Sequence, residues 1–263
     1  MKGRLWAPAV VGLGWLLALA YERGTDPPVT DIVFLSVGQG DAILLRSGDK
    51  AVLVDTGPSQ GAFSAGERLA APQLRALGVD DLEAVILTHP DLDHTGGFEG
   101  LQRRLTVTMC YTAPTFVDRL PCRAIPGRLI VGAWTLEFWT DAAADTDNGQ
   151  GVVIRAMAGQ ESVLLTADIS QTGERRIPAA IVAYTTIVKA GHHGSGSSTS
   201  ADLLESADPE WVVFSCGRGN SFGHPDEEAL RRAEESGAQI ARTDRDGPVR
   251  FVLRGGRFER APL

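Results

Sequence analysis

A chain of 263 residues, 43% hydrophobic and 22% charged, carries a formal net charge of −8. That length buries a sizeable core, in one large domain or two modest ones, and the even composition excludes a fibrous or disordered protein. The acidic balance excludes a general attraction to nucleic acid, so any such binding needs a local basic patch or metal ions.

The first twenty residues differ from the rest. A basic "MKGR" precedes the uncharged run "LWAPAVVGLGWLLALA", which ends in Ala18-Leu19-Ala20. The pattern predicts a signal peptide. A retained membrane anchor is the second reading, because ~17 apolar residues sit at the lower limit for spanning a bilayer; a buried helix is the third. Either of the first two places the protein outside the cytoplasm, periplasmic or secreted if cleaved and on the outer face of the inner membrane if anchored. Residues 21–30 read as a linker and 31–263 as one folded domain.

Three strands open that domain, "DIVFLSV", "AILLRS" and "AVLVDTG", with turns at "GQGD" and "GDK". A helical region is predicted from Ser64 to Leu77, divided by Pro72. "EAVILTH" is a buried strand, "GGFEGLQRRL" starts a helix and "TVTMCY" is another strand. The second half begins like the first, with "RLIVGAWTLEFWT", "GVVIRAMAG" and "ESVLLTAD" as successive strands. "SQTGERRI" and "SADLLESA" are helical, "TTIVKAGHH" and "EWVVFSCG" are strands, and "PDEEALRRAEESG" is a helix with acids in its first turn and a closing glycine. "QIARTD" and "VRFVL" finish as strands. Strand groups followed by helices, twice over, predict an α/β protein built as a four-layer αββα sandwich. The cysteines, Cys110, Cys122 and Cys216, have no metal-finger spacing. Two readings stay open: a Cys110–Cys122 disulfide, which needs an oxidising compartment, or three unpaired thiols.

Polar groups recur at one place in this pattern. Asp55 ends "AVLVD"; His89, Asp91, Asp93 and His94 follow "AVILT"; Asp168 ends "SVLLTA"; His192 and His193 follow "TIVKAG". Buried strands thus deliver imidazoles and carboxylates to their C-terminal ends, which a layered sheet brings to one edge. Carboxylates crowded together repel unless a cation shares the site, and mixed His/Asp ligation suits Zn²⁺, Mn²⁺ or Fe²⁺. Gly96 and Gly97 let the backbone come close as the loop enters its helix. Taken singly, Asp55 and Asp41 also fit turns, Asp168 a helix cap, and His224 a turn beside Pro225.

"LTHPDLDHTGG", with "VDTG", "LLTADI" and "AGHHGS", resembles the H-x-[HD]-x-D-H signature and companion motifs of the metallo-β-lactamase superfamily. "FLSVGQGDAILLR", "VKAGHHGSGSSTS", "GNSFGHP" and "RTDRDG" narrow the resemblance to the extracytoplasmic metallo-β-lactamase-like domain of ComEC-type DNA-uptake proteins, over roughly Asp31 to Leu253. The resemblance implies two divalent metal ions, Mn²⁺ or Zn²⁺, sharing a hydroxide. His89 and Asp91 would serve the first and Asp93 and His94 the second, with Asp168 bridging. One of His192 and His193 would complete the second site, His192 being taken as the ligand and His193 as catalytic. Asp93 and Asn148 would also serve the catalytic step, with Asp55 orienting a histidine or the attacking water. Asp41, Lys189, Ser195, Asn220 and His224 would meet the substrate, and the serine-rich loop at Ser195 would add a helix N-terminus for phosphate.

Two departures matter. Asp91 stands where many members have histidine, and no histidine lies between His94 and His192. Asn148 in "TDNGQG" is the candidate for that third position. An oxygen-richer first site favours Mn²⁺ over Zn²⁺. The ComEC-type pattern shares both departures; they count against a β-lactamase. The leading expectation is a nuclease or phosphodiesterase acting on DNA, in uptake or nucleotide scavenging. The alternative is a catalytically silent module that binds DNA or a channel partner. A chain with one apolar stretch is, if it stands alone, a hydrolase domain and not a transporter.

Overall fold

The computed structural model describes residues 28–263; the signal-or-anchor segment and most of the linker lie outside the described residues. In chain order the strands are β1 (Thr30–Phe34), β2 (Ile43–Ser47), β3 (Lys50–Val54), a small ribbon β4 (Ser59–Gln60) and β5 (Phe63–Ser64), β6 (Asp81–Leu87), β7 (Thr106–Thr112) and β8 (Arg123–Ala124). The second half adds β9 (Arg128–Val131), β10 (Trp134–Trp139), β11 (Val153–Ala158), β12 (Glu161–Leu165), β13 (Ile187–Lys189), β14 (Trp211–Phe214) and β15 (Gln239–Arg242). β16 (Val249–Arg254) and β17 (Arg257–Ala261) close the chain.

One sheet has the order β17-β16-β1-β2-β3-β6-β7-β8 and the other β15-β14-β13-β12-β11-β10-β9. Alternate residues of each strand face opposite layers. Ile32 and Phe34 enter the core between the sheets with Ile154, Val163 and Leu165. Val33 and Leu35 face outward to Leu74 and Leu101 on the covering helices. Leu164 and Val188 do the same on the second sheet, under Leu203. The result is the expected four layers, helix–sheet–sheet–helix. Trp134 on β10 is fully buried and its indole nitrogen donates to the Arg46 carbonyl on β2 (2.9 Å), which ties the two sheets and satisfies the one polar atom of the ring.

Two of the expected strands differ. "RLIVGAWTLEFWT" is a hairpin and not one strand, because Gly132 takes φ +57° and turns β9 into β10. "QIARTD" stops at Arg242; Thr243–Asp246 is a helical turn. The helix expected over Ser64 to Leu77 is a π-helical Gly66–Ala70 running into Ala71–Ala76, with Pro72 in the first turn of the latter, where its missing N–H costs nothing. Cys110 and Cys122 form a disulfide and Cys216 is free and buried. Among the described residues no helix is long and apolar enough to cross a membrane.

β3, β6 and β7 run parallel, as do β12 to β15. The C-terminal ends of β3, β6, β12, β13 and β14 therefore open on one edge of the sandwich, and the loops leaving them carry the polar residues.

Candidate metal centre

Three imidazoles converge there, each fixed in the same tautomer by a different partner. His94 Nδ1 donates to Asp55 Oδ2 (2.7 Å). Asp55 also accepts from the Thr88 amide (2.8 Å) and from the Thr88 hydroxyl (2.8 Å), which leaves that hydroxyl oxygen to accept from His89 Nδ1 (3.0 Å). His193 Nδ1 donates to the Ser215 carbonyl at the end of β14 (3.0 Å). With every Nδ1 carrying its proton toward the protein, every Nε2 presents its lone pair to the centre. The Nε2 atom of His89 is buried with no hydrogen-bond partner among the described residues, and that of His94 faces Asp168 Oδ2 at 3.2 Å. That of His193 faces the carboxylates of Asp93 (3.2 Å) and Asp168 (3.3 Å). Asp168 Oδ1 is also buried and unpartnered. Nitrogen lone pairs and carboxylate oxygens with outer partners on the far ring nitrogens form a donor set able to bind a divalent metal ion.

Asp41, His94, Asp168 and His193, all buried, offer ligand atoms within 4.8 Å of one another. Asp41 nevertheless stands behind the rings: its contacts are to His193 Nδ1 (3.5 Å) and His94 Nδ1 (3.9 Å), the nitrogens turned away from the centre. It pairs with the buried ammonium of Lys189 (2.5 Å), which lies 3.7 Å from Asp168 Oδ1 and donates to the Ala167 carbonyl (3.2 Å). Asp93, which faces His193 Nε2, therefore replaces Asp41 in the set that could hold a cation, with His94, Asp168 and His193. His89 Nε2 and Asp91 Oδ2, 3.5 Å apart, stand beside it, the His89 and His94 ring centroids being 4.1 Å apart.

The electrostatics agree. Burial alone would raise the Asp168 pKa, but His193 and His94 hold it well below the carboxylate range. Burial would likewise raise Asp41, which Lys189, then His193 and His94, pull down. Burial would lower the His94 pKa; Asp168 and Asp55 overcome it and raise it to about 10. Carboxylates that favour positive charge on these imidazoles would also favour a divalent cation in place of the protons.

The other expected residues are placed as follows. His192 is 38% exposed in its side chain, with Nε2 3.7 Å from Asp168 Oδ2, so it stands at the rim while its neighbour His193 is enclosed. The loop of Asn148 lies against the His89 side: the Val152 amide donates to the Thr88 carbonyl (3.0 Å), and a Cβ on Gly151 would sit 3.8 Å from the His89 Cβ. Asn220 uses both ends of its amide within its own loop, on Gly217, Phe222 and His224. His224 is half-buried at the rim, its Nδ1 beside Gln39 Nε2 (3.4 Å). Ser195 pairs with the Ser197 hydroxyl (3.0 Å). The helix N-terminus expected to take phosphate is already occupied. The Glu174 carboxylate accepts from the Ser200 amide (2.8 Å) and the Thr199 amide (2.5 Å), and Ser200 Oγ caps Ala201–Ala207 by accepting from Leu203.

Gly40 and Gly97 do what only glycine allows here. A Cβ on the first would run into the Asp93 carbonyl and on the second into the Thr56 carbonyl. Asp55, Ala167, His192 and His193 all take positive φ (59°, 46°, 49° and 54°). Strain of roughly 1–3 kcal/mol at such a residue is tolerated where a site dictates the geometry.

The model of the metallo-beta-lactamase superfamily matches residues 35–216. Competence protein ComA of Neisseria gonorrhoeae is 31% identical over 224 residues, covering 83% of this chain and 32% of that protein. ComE operon protein 3 of Bacillus subtilis is 26% identical over 266 residues, covering 88% and 34%. Recombination protein 2 of Haemophilus influenzae is 30% identical over 245 residues, covering 88% and 30%. The chain spans about a third of the length of these relatives. Among solved structures, the metallo-beta-lactamase fold protein YhfI of Bacillus subtilis superposes with a TM-score of 0.59 at 15% identity, over 85% of this chain and 99% of that one. A diphosphatase of the PhnP family gives 0.53 at 14%, over 85% and 98%. These two share the fold. With its signature histidines and aspartates gathered around one cation-binding centre, the chain belongs to the metallo-β-lactamase superfamily and is similar to its ComEC-like competence members.

Proposed function

We propose that this metallo-hydrolase is a phosphodiesterase that cuts DNA outside the cytoplasmic membrane, in uptake or in nucleotide scavenging, with two divalent ions, Mn²⁺ or Zn²⁺. The observation that carries the metal is the common orientation of His89, His94 and His193, each with Nδ1 anchored and Nε2 turned inward. The competence relatives support DNA as the substrate. Asp93, His94, Asp168 and His193 would hold one ion, and His89 and Asp91, with fewer donors, a weaker second. A divalent ion polarises a phosphoryl oxygen and lowers the pKa of water. The protein's own part is to fix the ligand tautomers through Asp55, Thr88 and Ser215. Lys189 adds a permanent positive charge that balances Asp41 and Asp168.

Lys189 also favours a second reading, a module that recruits DNA or a channel partner without hydrolysis, because a fixed ammonium already offsets part of the carboxylate charge. The buried Nε2 atom of His89, which has no hydrogen-bond partner among the described residues, weighs against it, because a cation would satisfy it. Incubating the full chain with single-stranded DNA, a bis-aryl phosphodiester and a chromogenic lactam, each with Mn²⁺, Zn²⁺, Mg²⁺ or chelator, separates these readings. Metal-dependent cleavage of the phosphodiesters, best with Mn²⁺, is expected. Turnover of the lactam alone contradicts the proposal, and DNA binding without turnover supports the module.

A further inference from the structure

The rim of the centre carries an aromatic series that the metal chemistry does not use. Phe222 is 68% exposed at the tip of the turn following β14. The loop is not slack there: Asn220 Oδ1 accepts from the amides of Phe222 (3.2 Å) and His224 (3.0 Å), and its Nδ2 donates to the Gly217 carbonyl (2.9 Å). The Phe222 ring stacks on His224 with centroids 5.8 Å apart and planes at 29°. His224 in turn meets His192 edge-on at 5.8 Å and 73°, and His192 Nε2 is 3.7 Å from Asp168 Oδ2. Three rings thus lead from solvent to a carboxylate of the metal centre.

We propose that Phe222, His224 and His192 form a stacking ramp for the bases of a single-stranded nucleic acid whose backbone lies at the centre; this rests on the phosphodiesterase reading. A chain of net charge −8 gains little from general attraction to phosphate, so an uncharged contact beside the centre adds to what metal ions there would provide. Every base has a π-face, and stacking on an aromatic side chain provides that contact without reading sequence. A residue whose backbone is already held by its loop loses less freedom on binding. Bases in a duplex are stacked on one another and do not offer their faces, so the ramp selects single strands.

The test is binding, which needs no turnover. The full chain, in chelator so that nothing is cut, is titrated into a short single strand carrying 2-aminopurine, into the same strand with abasic sites in place of bases, and into the duplex. The base-bearing strand is expected to bind more tightly than the other two, with its fluorescence quenched by stacking. Phe222→Ala should weaken that strand by about 5- to 100-fold, leave the abasic strand unchanged and abolish the quenching; Phe222→Tyr should restore both. Equal binding of intact and abasic strands, an equal loss on both in Phe222→Ala, or no binding to any of the three overturns the ramp. Metal-dependent cleavage measured separately tells whether the phosphodiesterase reading falls with it.

Discussion

At the scale of single residues, the centre is a competition between protons and a cation. Asp168 and Asp55 push His94 up to about 10 against the effect of burial, and His193 is likewise raised well above the usual histidine range. A histidine raised from 6.5 to about 10 gives the cation-free fold stability that is fully present below about pH 6.5 and is lost as pH climbs toward 10. A metal ion must displace those protons. Binding of Mn²⁺ or Zn²⁺ at neutral pH should therefore release at least one proton and weaken as pH falls. Calorimetric titration in two buffers of different ionisation enthalpy reads this directly, and a heat independent of buffer would contradict it. Lys189 offers a second check. It and Asp41 are both buried, so Lys189→Met leaves that carboxylate only the more distant His193 and His94 and should cost about 3–5 kcal/mol in chemical denaturation. Adding Asp41→Asn should recover part of the loss. The gathering of histidines and aspartates at one edge was legible in the sequence because they recur at the ends of successive buried strands. Which of His192 and His193 faces inward was not, since both take left-handed φ in one tight turn that no periodicity describes. The role of Asp41 and Lys189 as a pair was hidden too, because 148 positions separate them and only the sheet packing brings them together.

At the scale of elements, the strands were read well because alternation and turn residues report them, and the strand ends that deliver Asp55, His89, Asp168 and His193 follow from that reading. What failed depended on partners distant in sequence. The loop from Ser195 to Ser200 looked like a phosphate cradle, yet Glu174 supplies its anion from within. Arg232, on the helix Glu227–Glu235, donates to the carbonyls of Gly196, Ser198 and Thr199. The two side chains clamp the loop that follows His193. Glu174→Ala leaves the Thr199 and Ser200 amides buried without an acceptor. It should lower stability by about 1–3 kcal/mol and, through looser placement of His193, weaken metal binding. Equilibrium denaturation and metal titration of the variant check both effects; unchanged values for both would show that the loop holds itself.

At the scale of the whole molecule, the αββα layering was legible because two runs of strands and helices fill four layers in only a few ways, and the sheets then bring two sets of parallel strand ends to one edge. The disulfide between Cys110 and Cys122 fits a protein exported to an oxidising compartment, the location we propose. The central claim is that this edge is a metal centre in which His193 is enclosed as a ligand and His192 is not. The measurement that tests it most directly is bound metal per chain for the purified protein, His193→Ala and His192→Ala after loading with Mn²⁺ or Zn²⁺, alongside cleavage of single-stranded DNA. The account predicts that His193→Ala loses both tightly held metal and cleavage, whereas His192→Ala keeps its metal. Retention of metal by His193→Ala, or cleavage that survives complete chelation, would contradict it.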